Sequence, residues 1–394
     1  MWLVLAVMCL IQQAVTSEEP IKGRRLNPQY LMNISQIIQY WGYPSEEYEI
    51  LTADGYYLRA NRIPNGIHSL EKTGPKPVVL LVPGLVVEGR CWVINLPSNS
   101  LGFVLADAGY DVWIINNRGT TWSRRHQNLT TDQEEFWDFS FHEMGIYDIP
   151  ATINFILQKT KQDSLYYIGH SQGAALGLIS FSTFPQLAQK INLLICFGPA
   201  YTLEDSKGIS NYILRLPYKV KQFLWGNKEF RFLSNRQKNI SAILCTLPGI
   251  DNLCIQIYYS FVGFNENNIN MSRIDLYSAT FPDFASVKTI FHWSQVVESN
   301  EFKYFDYGNK NRAVYNMIKP PFYNIGDITV PTAVWSGGND IIVRPKDIDR
   351  LLPRLTNLVF HKYIPSWDHA DFIWGLDAPK YLYGDLFQLM KKYR

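Results

Sequence analysis

Short apolar runs alternate with longer segments of helical periodicity along most of this chain. The runs Val78 to Val82, Tyr110 to Ile115, Leu165 to Ile168 and Leu193 to Phe197 are continuous rather than alternating, the pattern of strands buried on both faces of a sheet. Between them lie helical patterns such as Phe139 to Lys159, which Pro150 is expected to kink or divide. Strand and helix in alternation predict a wound, mostly parallel sheet of the α/β class. The sheet is expected to open with an antiparallel pair, because Tyr48 to Thr52 and Tyr56 to Ile63 flank Asp54-Gly55, a strong hairpin signal. Val330 to Trp335 reads as a further buried strand and Asn357 to Ile364 as another apolar strand pattern late in the chain. Tyr381 to Tyr393, preceded by Asp377-Ala378-Pro379, reads as a capped closing helix.

The rhythm breaks between Phe197 and Thr332, a stretch far longer than the ~2 to 6 residues of a usual strand-to-helix loop. An inserted cap is expected there. Within it Ile213, Leu216, Val220 and Phe223 recur at helical spacing, Arg215, Lys219 and Lys221 supply charge, and Pro217 interrupts the pattern. Ile255 to Phe264 is almost wholly apolar. Such segments suit a lid with an apolar face toward a lipid surface, although amphipathic cap helices more commonly just pack on the core. The expected organisation is a signal segment at 1–17, a first core part at 18–198, the cap at 199–325 and a second core part at 326–394.

The chemistry is announced by Gly169-His170-Ser171-Gln172-Gly173, set between an apolar strand and an alanine- and leucine-rich helix pattern. G-x-S-x-G in that setting is a nucleophile elbow, where small flanking residues let a strained turn lift a serine hydroxyl clear of the sheet. Ser171 is the candidate nucleophile. A serine hydroxyl needs a histidine to take its proton and a carboxylate to hold that histidine, and in α/β hydrolases these follow as Asp or Glu, then His. Asp340 ends the turn-rich loop Ser336-Gly337-Gly338-Asn339-Asp340, and His369 lies just past the strand ending at Ile364. They are the candidate orienter and base. Asp368 and Asp371 flank His369, with surface or loop-capping roles expected. The oxyanion donors are expected to be the backbone N–H groups of Gln172 and of Leu85, in the Pro83-Gly84-Leu85 turn after the strand Val78 to Val82. Of the other histidines, His170 lies inside the elbow, His68 in a polar loop and His361 in a strand; His126, His142 and His292 carry no partner signal.

These residues bring out a resemblance to the acid lipase family, which includes gastric and lysosomal acid lipases, over nearly the whole mature chain. Its landmarks are Asn33-Ile34-Ser35-Gln36-Ile37-Ile38 with Trp41-Gly42-Tyr43-Pro44, Leu105 to Trp113, Thr121-Trp122-Ser123-Arg124-Arg125-His126, Tyr147-Asp148-Ile149-Pro150-Ala151, the elbow, Asn270-Met271-Ser272-Arg273 and Gly337-Gly338-Asn339-Asp340. The resemblance implies an α/β hydrolase with a lidded cap that cleaves neutral lipid esters. It also implies Ser171, Asp340 and His369 as triad, Leu85 and Gln172 as oxyanion donors, and activity at acid pH. Two places depart from the family pattern. Pro83-Gly84-Leu85 stands where His-Gly-Leu is usual, followed by Val86-Val87-Glu88-Gly89-Arg90, which is expected to bring a charged pair near the acyl site. Ile115-Asn116-Asn117-Arg118-Gly119-Thr120 replaces Gly-Asn-Ser-Arg-Gly-Asn. Two other readings stand beside a lipase: a small-ester carboxylesterase with an acyl site narrowed around Glu88 and Arg90, and a lipid-binding protein that keeps the fold without a working oxyanion hole.

Composition narrows the rest. Hydrophobic residues make up 47% and charged residues 18% of the 394, which suits one large catalytic unit with a sizeable core. A net charge of +2 without basic runs gives no support to nucleic-acid binding. Met1 to Ser17 reads as a secretory signal whose apolar core is too short to span a bilayer, so the mature protein is expected in the secretory pathway, secreted or in the lysosomal lumen. Cys245 and Cys254 are expected to pair around Pro248-Gly249, as the family resemblance also indicates; Cys196 reads as a buried thiol and Cys91 is open. Asn33, Asn128, Asn239 and Asn270 head N-x-S/T sequons. No His/Cys cluster has metal-ligand spacing, and no cofactor is expected.

Overall fold

The computed structural model describes residues 25–69, 74–263 and 265–394; the signal expected at Met1 to Ser17 lies outside the described residues. Its strands are β1 (Glu46–Leu51), β2 (Tyr56–Ile63), β3 (Val78–Val82), β4 (Asp111–Ile115), β5 (Arg125–His126), β6 (Leu165–His170), β7 (Ile191–Phe197), β8 (Glu229–Phe230), β9 (Ala285–Ser286), β10 (Thr332–Gly337) and β11 (Leu358–Ile364). A nine-stranded sheet has the order β1-β2-β4-β3-β6-β7-β10-β11, with β5 paired to β2; β8 and β9 form a separate pair. The β1–β2 hairpin and the β2–β4 pairing are antiparallel. Along the sheet order β4-β3-β6-β7-β10-β11 every pairing is parallel.

The central strands are buried on both faces, which explains their unbroken apolar runs. Along β3, Val78, Leu80 and Val82 enter one core cluster and Val79 and Leu81 the other, as the two-residue period of a strand requires. The helix expected over Phe139 to Lys159 is divided. A short helix, Phe141–Glu143, passes through a π-turn at Met144–Asp148 into α1 (Ile149–Thr160), which begins one residue before Pro150. Pro150 has no N–H to donate, and its ring would crowd the carbonyl one turn back; the widened turn relieves both. The α-helix after β6 is α2 (Gln172–Thr183).

Between β7 and β10 the chain carries α3 (Gly208–Arg215), α4 (Tyr218–Trp225), α5 (Asn235–Leu244), α6 (Ile250–Val262) and α7 (Val287–Ser299). Pro217 separates α3 from α4. The Cys245–Cys254 disulfide joins the end of α5 to α6, while Cys91 and Cys196 are buried free thiols. The helical stripe is oriented differently from its sequence reading. Lys221 is buried rather than solvated, its ammonium donating to Leu214 O and Ser294 Oγ, while Val220 is 40% and Phe223 88% exposed. Two acceptors from other elements draw the lysine inward, and the helix rotates its apolar residues out.

Candidate active site

Because β3, β4, β6, β7, β10 and β11 run parallel, their carboxyl ends share one edge of the sheet, where ligands of open α/β sheets bind. Loops after β3, β6, β7, β10 and β11 bring Leu85, Ser171, Ala200, Ile342 and His369 to the wall of one cleft. It measures about 930 Å³ counted to its open mouth, and the segment between β7 and β10 completes it with residues including Leu214, Phe230, Phe261 and Trp293.

Ser171 sits on the turn from β6 to α2 with φ +55° and ψ −119°, a strained backbone for a serine. Ser171 N–H donates to Phe197 O at 2.9 Å and Ala200 N–H to Ser171 O at 3.2 Å, so the neighbouring strand holds the turn. The flanking glycines are dictated by contact. A Cβ on Gly169 would lie 2.5 Å from Gly173 backbone, and one on Gly173 would lie 2.2 Å from Val82 O. The elbow thus fits only because strand, helix and the end of β3 meet without side chains between them.

His369 Nδ1 lies 2.8 Å from Asp340 Oδ2. With Nδ1–H donating to the carboxylate, Nε2 is the nitrogen left to accept a proton. Asp340 is fully buried and its other oxygen accepts the N–H groups of Ile342 at 2.9 Å and Val343 at 2.7 Å. The two flanking acids are buried, not on the surface, and they cap the loop. Asp368 Oδ1 accepts from Ile341 N–H at 2.9 Å and His369 N–H at 2.8 Å, while Asp371 accepts from Asp368 N–H at 2.6 Å. Burial, reinforced by the charge of Asp340 for Asp368, pushes both carboxyls up to about 7. His170 is kept neutral, its pKa depressed first by burial and then by His369; its Nε2 meets His369 O at 3.0 Å.

Leu85 and Gln172 line the same cleft as Ser171, and among the described residues no hydrogen bond takes up the Leu85 N–H. Glu88 and Arg90 do not line the cleft, contrary to the sequence expectation. Glu88 accepts from Arg90 Nε and from Trp122 Nε1 at 2.9 Å, and both members of the pair are buried. The pair therefore does not narrow the acyl site. The remaining histidines sit outside the cleft wall: His68 is on an exposed turn, His126 faces Asp54 O, His142 faces Tyr323 Oη, His292 lies between Ser140 Oγ and Lys303 O, and His361 meets Ser336 Oγ. Two contacts escaped sequence reasoning. Trp293 Nε1 donates to Gln172 Oε1 at 2.8 Å, and Asp283 N–H donates to Val86 O at 2.7 Å. Their only sequence trace is a polar or aromatic residue inside an apolar stretch. No group of three or more potential metal ligands occurs among the described residues, and no helix there is long and apolar enough to cross a membrane.

A family model for the alpha/beta hydrolase fold matches residues 77–376, and one for a partial alpha/beta-hydrolase lipase region matches residues 34–96. Human lipase member M is 47% identical over 394 residues, covering 100% of this chain and 93% of that protein. Human lysosomal acid lipase/cholesteryl ester hydrolase is 47% identical, with 98% of each chain covered. The solved structure of a bacterial membrane phospholipase A, at 13% identity, superposes with a TM-score of 0.52 over 100% of this chain and 98% of that one, a likeness of fold alone. These matches over nearly the whole length show the family: the chain belongs to the acid lipase family of alpha/beta hydrolases, enzymes that cleave carboxylic esters of lipids.

Proposed function

We propose that this chain hydrolyses neutral lipid esters of the triacylglycerol type through an acyl-enzyme on Ser171. The observation that carries the reading is the His369–Asp340 hydrogen bond beside a strained Ser171, with Ser171 and His369 both opening into one apolar cleft. His369 takes the Ser171 proton as Oγ adds to the ester carbonyl, and the Leu85 and Gln172 N–H groups hold the oxyanion. His369 then protonates the departing alcohol, and water activated by the same imidazole releases the fatty acid. None of these steps calls for a cofactor.

Residues 199–325 act in this reading as a lid that meets the lipid–water interface. The support is α4, which exposes Val220, Phe223 and Leu224 while burying Lys221. The site of action is the secretory pathway, either outside the cell or in the lysosomal lumen. The Met1 to Ser17 pattern, the Cys245–Cys254 disulfide and the sequons support it, with Asn128 exposed and Asn33, Asn239 and Asn270 partly so.

The test is fatty-acid release from short- and long-chain triacylglycerol emulsions between about pH 4 and pH 8, wild type beside Ser171→Ala. Ser171-dependent release from long chains is expected. Release from short chains alone would make the protein a small-ester carboxylesterase, and no Ser171-dependent release would overturn the hydrolase reading in favour of a lipid-binding role.

A further inference from the structure

Val86, the residue after the candidate oxyanion donor Leu85, has φ +52°. A β-branched residue there is a genuine outlier, which persists only where its surroundings enforce it. One enforcing contact is the bond from Asp283 N–H to Val86 O at 2.7 Å. Asp283 follows Phe281 and Pro282, which line the cleft, but is not itself in the cleft wall, and it is 1% exposed. Three donors fix its carboxylate. Thr121, on the loop after β4, donates its Oγ1–H at 2.6 Å and its N–H at 2.8 Å. Lys238, on α5, donates from Nζ at 2.9 Å, and its ammonium is buried over the Phe284 ring at 4.6 Å.

We infer that Asp283 is a positioning residue for the oxyanion hole, and that Lys238 makes the hole depend on the seating of the cap. The chain of contacts runs from a cap helix through one ion pair to the backbone that aims Leu85 N–H. With Lys238 in place the carboxylate is fully satisfied and the Asp283 N–H stays on Val86 O. Once α5 lifts, Asp283 retains only its Thr121 donors, its buried charge is uncompensated, and the segment that holds Val86 in the left-handed region loses its anchor. Such a coupling confines oxyanion stabilisation to molecules whose cap is correctly seated.

The inference rests on the hydrolase reading above, and a trifluoromethyl ketone separates the two. Ser171 Oγ adds to the ketone carbonyl carbon, the serine proton passes to His369, and the carbonyl oxygen becomes an oxyanion in the hole. A matched secondary alcohol fills the same cleft without forming one. Full-length wild type, Lys238→Met, Lys238→Arg and Thr121→Val are assayed on a soluble butyrate ester, with Ki for both compounds. Losing one oxyanion donor costs ~100- to 1,000-fold, so a misaimed one in Lys238→Met is expected to lower kcat by about 10- to 100-fold with KM nearly unchanged. The ketone Ki should rise by the same factor while alcohol binding stays constant. Lys238→Arg should restore part of kcat, and Thr121→Val, a milder change that keeps its N–H donor, should move both quantities about 3- to 10-fold the same way.

Thr121→Val decides the matter if Lys238→Met fails to fold. Unchanged kcat and ketone Ki in a folded variant, or equal weakening of ketone and alcohol, would overturn the inference. A wild type insensitive to the ketone would instead overturn the hydrolase reading beneath it.

Discussion

A methyl group on Gly263 would lie 2.1 Å from Asp368 Oδ1, and Gly263 has φ +64°. The carboxylate cannot swing aside without cost, because it holds the N–H groups of Ile341 and His369 at once. Gly263 O also accepts Ala370 N–H at 3.1 Å, so the end of cap helix α6 abuts the backbone of the candidate base. Gly263→Ala is therefore expected to lower kcat/KM on a soluble ester by on the order of 100-fold, the effect of shifting a catalytic group by about 1 Å. Backbone strain alone should cost ~1 to 3 kcal/mol in thermal unfolding. Gly249→Ala is the matched comparison, with φ +81° but nothing within 4 Å. It should cost only ~1 to 2 kcal/mol and leave kcat/KM unchanged. Equal kinetic effects from the two substitutions would remove the contact with Asp368 as the cause. The residues at this scale differ in how far the sequence reveals them. Ser171 and Asp340 follow buried strands and His369 follows the half-exposed edge strand β11, so a local strand pattern marks each. Asp368, Asp283 and Lys238 act on partners that only the fold brings near, with Lys238 and Asp283 meeting across 45 positions and Asp283 and Thr121 across 162.

Among the elements, those set by burial on both faces or by a turn signal were legible: β3 spans Val78–Val82, as its apolar run predicts, and the Asp54-Gly55 turn joins β1 to β2. Helix orientation in the cap was not. A helical stripe of Ile213, Leu216, Val220 and Phe223 suggests one apolar face, yet Pro217 splits it and Lys221 anchors the second half inward on Leu214 O and Ser294 Oγ. Burial pushes the Lys221 ammonium down in pKa. The rotation leaves Phe223 at 88% and Leu224 at 55% exposure. Exposed aromatic and aliphatic side chains contribute little to the folded state in water, so Phe223→Ser should change stability by no more than about 0.5 kcal/mol. Transferring such a side chain from water to an apolar phase is worth ~1.5 to 3 kcal/mol. If α4 meets lipid, the same substitution should weaken adsorption to a long-chain emulsion about 10- to 100-fold and leave hydrolysis of a soluble butyrate ester within about two-fold. Parallel losses on both substrates would mean that Phe223 serves the cleft rather than the interface.

Over the whole molecule, buried ionisable groups of opposite kinds set how stability answers to pH. Asp368 and Asp371 are pushed up to about 7 and Asp148 to about 6, each chiefly by burial, with Arg118 partly offsetting the effect at Asp148. A carboxyl whose folded pKa exceeds its unfolded one binds more protons in the folded state. Its stabilising contribution is fully present at low pH and is lost as pH rises from the ordinary carboxyl value through about 7. Buried His170 and His292 and half-buried His142 have pKa values depressed first by burial, and their contribution runs the other way, being lost as pH falls below the ordinary 6.5. The two sets oppose each other across the mildly acidic range, so the slope of wild-type stability alone assigns nothing. Asp371→Asn separates them. Asp371 accepts from Asp368 N–H, from Asn268 Nδ2 at 3.1 Å and from Asn265 N–H, and an amide oxygen can keep part of that set without titrating. The histidines are common to both proteins and cancel in the difference. Asp368, which faces Asp340, His369 and Asp371, loses a neighbouring charge in the variant and moves in the same direction. Each titrating group contributes at most ~1.4 kcal/mol per pH unit. Urea unfolding between about pH 5 and pH 7 should therefore show the stability of wild type relative to Asp371→Asn falling by ~1 to 3 kcal/mol as pH rises. Parallel profiles would mean that Asp371 is already ionised in the folded protein at pH 5, with its three donors outweighing its burial.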